Sequence, residues 1–165
     1  MFDKFGEFDS AEEMNRAAAA QLKEGDTESI LAIAKENGID AEDAQDYIDG
    51  ITGEFATPLM AAYGKLDIES AEQELCEIME DWIVYIKVRC SESPDMAAAV
   101  RKKGKSLKGC LAALLKWSFA NAREINGDIT RMANVQTRYP LKVGVPGMRR
   151  ARQIITDYYI GGEER

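Results

Sequence analysis

The chain contains no histidine. That absence removes the side chain that most often acts as a general base near neutral pH, and with it every Ser-His or Cys-His nucleophile pair. Cysteine is scarce too, and Cys76, Cys90 and Cys110 are odd in number and widely spaced. They make no Cys-x-x-Cys pair, which argues against zinc, and no disulfide framework, which fits a reducing cytoplasm. No stretch reaches the ~18 apolar residues that a membrane span needs. The opening residues Met1 to Glu7 carry carboxylates and lack the positive flank and apolar run of a signal peptide. The expectation is a protein without cofactor, metal or membrane attachment that is not an enzyme.

What is present is helix-forming and charged. Apolar residues make up 45% of the chain and charged residues 30%, the balance of a globular fold rather than of a disordered one. The net charge of −8 conceals its distribution. Residues 1–80 carry 21 Asp or Glu against 5 Lys or Arg, a net of −16, while residues 81–165 carry 8 against 16, a net of +8. Such a division bears on partners.

Capping and periodicity predict an all-α, compact multi-helix bundle. Ser10 and Glu13 fit a capping box for Ala11–Glu24, with Phe8 and Met14 as a staple and Gly25 as the stop. An acidic helical hairpin follows: Glu28–Asn37 with an apolar stripe of Ile30, Leu31, Ile33 and Ala34, then Ala41–Asp49 capped by Asp40. A short helix is expected over Glu54–Tyr63, ending at Gly64, and a long one over Ala71–Cys90. Asp95–Lys103 and Leu107–Arg123 come next, the latter the most apolar and expected at the centre of the core. Asp128–Asn134 is a short helix, Val135–Val145 a loop or small β-hairpin, and Pro146 opens a last helix to Tyr159 before a frayed tail. The predicted division is an acidic helical region over residues 1–66 and a more basic helical domain with the main core over residues 67–165.

Several chemical motifs are approached and missed. Gly104-Lys105-Ser106 would need a glycine where Ala99 stands, and a preceding strand, to form a phosphate loop. Asp40–Asp49 has Gln45 where a calcium loop needs glycine. The hairpin resembles a helix-turn-helix in outline, but phosphates would repel its acidic second helix. What remains are charged surfaces. Two basic clusters, Arg101, Lys102, Lys103, Lys105 and Lys108, then Arg149, Arg150 and Arg152, suit phosphates or an acidic protein surface. They equally suit the chain's own acidic half, within one molecule or across a homodimer. The carboxylates Glu36, Asp40, Glu42, Asp43, Asp46 and Asp49 can imitate the charge pitch of nucleic acid and block a basic groove.

The pattern Lys103-Gly104-Lys105-Ser106-Leu107-Lys108-Gly109-Cys110-Leu111, an Ala-rich helix, and a closing Ile154-Ile155-Thr156-Asp157-Tyr158-Tyr159 resembles the PcfK-like family. Those are small proteins of conjugative plasmids and integrative elements, and they include type II-A anti-CRISPR inhibitors of the RNA-guided DNA nuclease. The similarity spans the C-terminal third to half. The acidic hairpin Glu28–Asp49 and the stretch Val135–Val145 fall outside the family's pattern. The resemblance implies a mobile-element accessory protein whose protein partner is a CRISPR nuclease or a conjugation protein. The alternative is a DNA-binding accessory factor of conjugation. It carries over no catalytic residue.

Overall fold

The structure, a computed structural model, describes residues 4–161. Among them run helices α1 (Ala11–Glu24), α2 (Thr27–Asn37), α3 (Ala41–Ile48), α4 (Pro58–Ala71), α5 (Glu77–Glu92), α6 (Pro94–Arg101) and α7 (Leu107–Ala120). Strand β1 (Arg123–Glu124), helix α8 (Gly127–Met132), strand β2 (Lys142–Val143) and helix α9 (Met148–Tyr159) complete the order. The protein is all-α, with one small antiparallel strand pair joining Arg123 to Val143 and Glu124 to Lys142. The tail beyond Gly161 lies outside the described residues.

The helix starts follow their caps. Ser10 Oγ accepts from the Glu13 amide at 3.2 Å, while the Glu13 carboxylate reaches back to the Asp9 amide at 2.6 Å, one residue before the cap. Asp26 and Asp40 cap α2 and α3, and Gly25 and Gly38 close α1 and α2 with left-handed φ of 73° and 69°. In the α2 stripe Ile30, Ile33 and Ala34 are buried, but Leu31 points outward.

Helix α4 departs most from expectation. It begins at Pro58 and runs through Gly64 to Ala71. Gly64 does not end the helix, because its role is close packing. A Cβ on Gly64 would overlap the Asn37 carbonyl oxygen, and one on Gly38 would stand 2.5 Å from the Gly64 oxygen. The end of α2 therefore lies directly on the backbone of α4. With Ala71 used by α4, α5 starts only at Glu77, and its β-branched run stays helical because Trp82, Ile83, Ile86 and Cys90 share a buried face.

Two apolar clusters meet on α4. One gathers Phe8, Met14, Ile30, Ile33, Ile39, Tyr47, Phe55 and Ala61, and the other gathers Ala62, Leu66, Trp82, Ile86, Met96, Val100, Leu107, Leu114, Ile155 and Tyr159. Adjacent alanines of one helix thus serve different cores. Helix α7 is less central than its composition suggested. Leu107, Cys110 and Leu114 are buried, but Leu115 is 50% and Phe119 78% exposed. It stops at Ala120 because Arg123 and Glu124 turn away to pair with β2. Gly144, just after β2, lies so close to the Ser118 carbonyl that a Cβ there would overlap it, which seats the hairpin on the last turn of α7.

Candidate functional site

The expected acidic surface is partly consumed by the fold. Glu36 accepts the amides of Lys4 and Phe5 at 2.8 and 3.0 Å, so it clamps the N-terminal strap. Asp40 caps α3 through the Glu42 amide at 2.8 Å, and Asp49 accepts from Gln45 at 3.0 Å. Asp46 is half-buried. Glu42 and Asp43 are exposed in the first turn of α3, where the helix dipole favours negative charge. This surface carries the carboxylates its caps and dipole call for.

The first basic cluster requires a correction at Arg101. Its side chain is 1% exposed, and it donates to the Phe8 carbonyl at 3.1 Å and to Asn37 Oδ1 at 2.6 Å. It joins the two cores and offers nothing to a partner. Clustering with four lysines hid this, because a buried guanidinium and an exposed one look alike in sequence. Beside it Lys65, unremarked in the sequence, is 1% exposed and donates to Glu7 at 2.6 Å and to the carbonyls of Lys102 and Lys105 at 2.9 and 2.6 Å. A buried ammonium persists because all three donors are used. Burial also raises the Glu69 carboxyl above its ordinary range, against the Leu107 amide that donates to it.

The lysines around that bend are partly engaged. Lys105 donates to the Tyr158 carbonyl at 2.6 Å and lies over the Tyr158 ring. The Lys103 amide donates to Asp9, and its ammonium stands 3.9 Å from Glu13. Lys102 and Lys108 are exposed. The Ser106 amide donates to the Tyr158 hydroxyl at 3.0 Å, and a Cβ on Gly109 would overlap that hydroxyl. The two segments that carry the family resemblance are therefore one packing seam between α7 and α9.

The second basic cluster lies at the opposite end of the same helix pair. Arg150 stands over the Trp117 ring at 5.9 Å, and Arg152 over Tyr85 at 5.2 Å. Helices α7 and α9 run antiparallel, so at 1.5 Å per residue the clusters are separated by roughly 12–17 Å along the pair. The two clusters do not form one patch. Arg149, Arg150 and Arg152 instead belong to a basic, apolar-studded stretch of the chain that sequence reasoning overlooked. Over residues 115–152 the chain carries eight Lys or Arg against two carboxylates, Glu124 and Asp128. Phe119 is 78%, Met132 90% and Tyr139 72% exposed on it, with Ile129, Val143 and Val145 also exposed. Only the alternation of arginine with isolated large apolar residues through Arg123–Arg150 signals this, across a stretch that reads as short helix, loop or small hairpin, and the start of the last helix.

Between Trp117 and the first turn of α9 lies a recess of about 640 Å³, lined by Trp117, Gly147, Met148, Arg149, Arg150 and Gln153. Among the described residues no group of three Cys, Asp or Glu is placed to hold a metal ion. No described helix is long and apolar enough to cross a membrane. No family model, curated protein or solved structure matches the chain.

Proposed function

We propose that the chain is a non-enzymatic accessory or regulatory protein of a bacterial mobile genetic element, acting in the cytoplasm by binding through the basic and apolar surface of residues 115–152. In its sharpest form it inhibits a type II RNA-guided nuclease by docking on it in competition with nucleic acid. The observation that carries the binding role is the exposure of Phe119 and Met132 among basic residues. Exposed large apolar side chains rimmed by polar residues mark contact surfaces. Arg123, Lys142 and Arg149 add charge there with no carboxylate at ion-pair distance among the described residues. The link to mobile elements is supported by the PcfK-like pattern at Lys103–Leu111 and Ile154–Tyr159. Titrating the purified protein into a guide-programmed cleavage assay tests the inhibitor. Cleavage should fall at stoichiometric amounts and recover with Phe119→Glu/Met132→Glu, whereas unaltered cleavage at large excess ends this form of the idea.

The second reading is a nucleic-acid-binding accessory factor of conjugation. It is supported by the paired aromatic and guanidinium groups Trp117–Arg150 and Tyr85–Arg152 on either side of α9. A gel shift that weakens with salt is the expected result. No binding to duplex or single-stranded DNA at low salt removes it.

A further inference from the structure

The recess at the first turn of α9 has a lining that selects a ligand chemistry. Its volume of about 640 Å³ is more than twice that of the recess at the other end of α9, near 280 Å³, where Asp95 stands beside Lys102. The half-exposed indole of Trp117 and the Met148 side chain supply its apolar lining, and Arg149 and Arg150 its charge, with the Arg150 guanidinium over the indole. No carboxylate lines it. Gln153 accepts from Arg150 at 2.7 Å, which holds that guanidinium facing the ring instead of free in solvent.

We infer that this recess seats one nucleotide of a single-stranded nucleic acid, with the base stacked on Trp117 in the place the Arg150 guanidinium holds in the free protein, and the flanking phosphates on Arg149 and the displaced Arg150. A base presents a flat apolar face and a phosphate a compact charge, and both the apolar lining and the cations are then used. An acidic peptide would occupy the guanidiniums but leave the indole unmatched. A duplex keeps its base faces stacked, out of reach of a ring in a recess. Further cations lie beyond the pocket, because Gly144 seats the β1–β2 pair, carrying Arg123 and Lys142 with Glu124 opposite Lys142, on the α7 turn next to Trp117. A strand leaving the recess therefore meets further cations. This inference deepens the second reading and does not depend on docking to a nuclease.

The test is fluorescence anisotropy of a labelled oligothymidine at low salt, read together with tryptophan emission. Trp82 is 4% exposed, so quenching on binding reports Trp117. Binding should weaken with salt, fall about tenfold with Trp117→Ala, and vanish with Arg149→Glu/Arg150→Glu. Lys108→Glu, at the far end of α7, should bind as wild type does. Unchanged far-ultraviolet circular dichroism shows that each variant is folded. No anisotropy change at low salt, or binding that survives both recess variants, overturns the inference. So does equal affinity for the matching duplex, or equal competition by oligoglutamate. Binding that survives both recess variants leaves the second reading standing without the recess, whereas no binding to any single strand or duplex removes both.

Discussion

Replacing Gly64 with alanine sets two effects of opposite sign against each other. In an open helix interior the change would stabilise by roughly 1 kcal/mol. At Gly64 the new Cβ overlaps the Asn37 carbonyl oxygen and stands 2.8 Å from that of Gly38, where ordinary contact begins at 3.4 Å. Both obstacles are backbone, fixed by the left-handed cap of α2, so neither can rotate aside. Helices α2 and α4 must part, which loosens Ile33 and Ala61 along the seam. Overpacking of a close-fitting core costs about 1–3 kcal/mol. Backbone overlap places this site at the top of that range, so the net loss is about 2 kcal/mol. For a chain of this length, calorimetry should show Tm lowered by roughly 4–8 °C. Gly127→Ala is the control, since its Cβ meets nothing within 4 Å, and it should leave Tm nearly unchanged. A Gly64→Ala protein that melts at or above the wild-type temperature refutes the close approach of the two backbones.

Arg101→Met keeps the volume but strands the Phe8 carbonyl and Asn37 Oδ1, and chemical denaturation should show a loss of about 2–4 kcal/mol. Burial raises the Glu69 carboxyl above its ordinary 4.5, so the native state holds that proton more tightly than the unfolded chain does. Stability should therefore decline as pH rises from 4.5 through the folded pKa, and Glu69→Gln should flatten that slope. Asp26 behaves oppositely, because the Ser29 hydroxyl and amide hold it below its ordinary 3.8. Its contribution, present above 3.8, is lost as pH falls through the lower folded value, and Asp26→Asn should blunt acid unfolding. Burial pushes the Cys90 and Cys110 thiols up to about 12, so a thiol reagent near neutral pH should label Cys76 quickly and the other two only in denaturant.

Local rules carried the fold a long way. Ser10, Asp26, Asp40, Ser93 and Ser106 are caps whose partners lie within three residues, so the starts of α1, α2, α3, α6 and α7 were legible. The errors arose where distant contacts decide. Gly64 reads as a stop unless the backbone of α2 is known to rest on it. Leu31 and Leu115 belong to apolar stripes wider than the faces that found neighbours. Arg101 and Lys65 look like surface cations because their acceptors, mostly carbonyls and an amide with the Glu7 carboxylate the exception, lie far along the chain and leave no local charge pattern. The surface over residues 115–152 was hidden for another reason. It is made of short irregular elements, and periodicity reports nothing about side chains that face water from a hairpin.

The strap Lys4–Asp9 has a consequence for the order in which this protein can be completed. Helices α1–α3 and most of the cluster around Met14 and Ile33 are present once residue 61 has left the ribosome. The strap lies across that cluster, but Phe8 is held by Arg101, Asp9 by the Lys103 amide, and Glu7 by Lys65, whose other acceptors are the Lys102 and Lys105 carbonyls. These bonds span up to 94 residues. At 5–20 residues per second the nascent strap waits at least about two seconds, with Phe8 unanchored, before its partners emerge. Lys4 and Phe5 are clamped by Glu36 as soon as α2 forms, whereas Phe8 and Asp9 are secured only after Arg101 and Lys103 emerge, and a chaperone scanning the nascent chain would meet them in that interval.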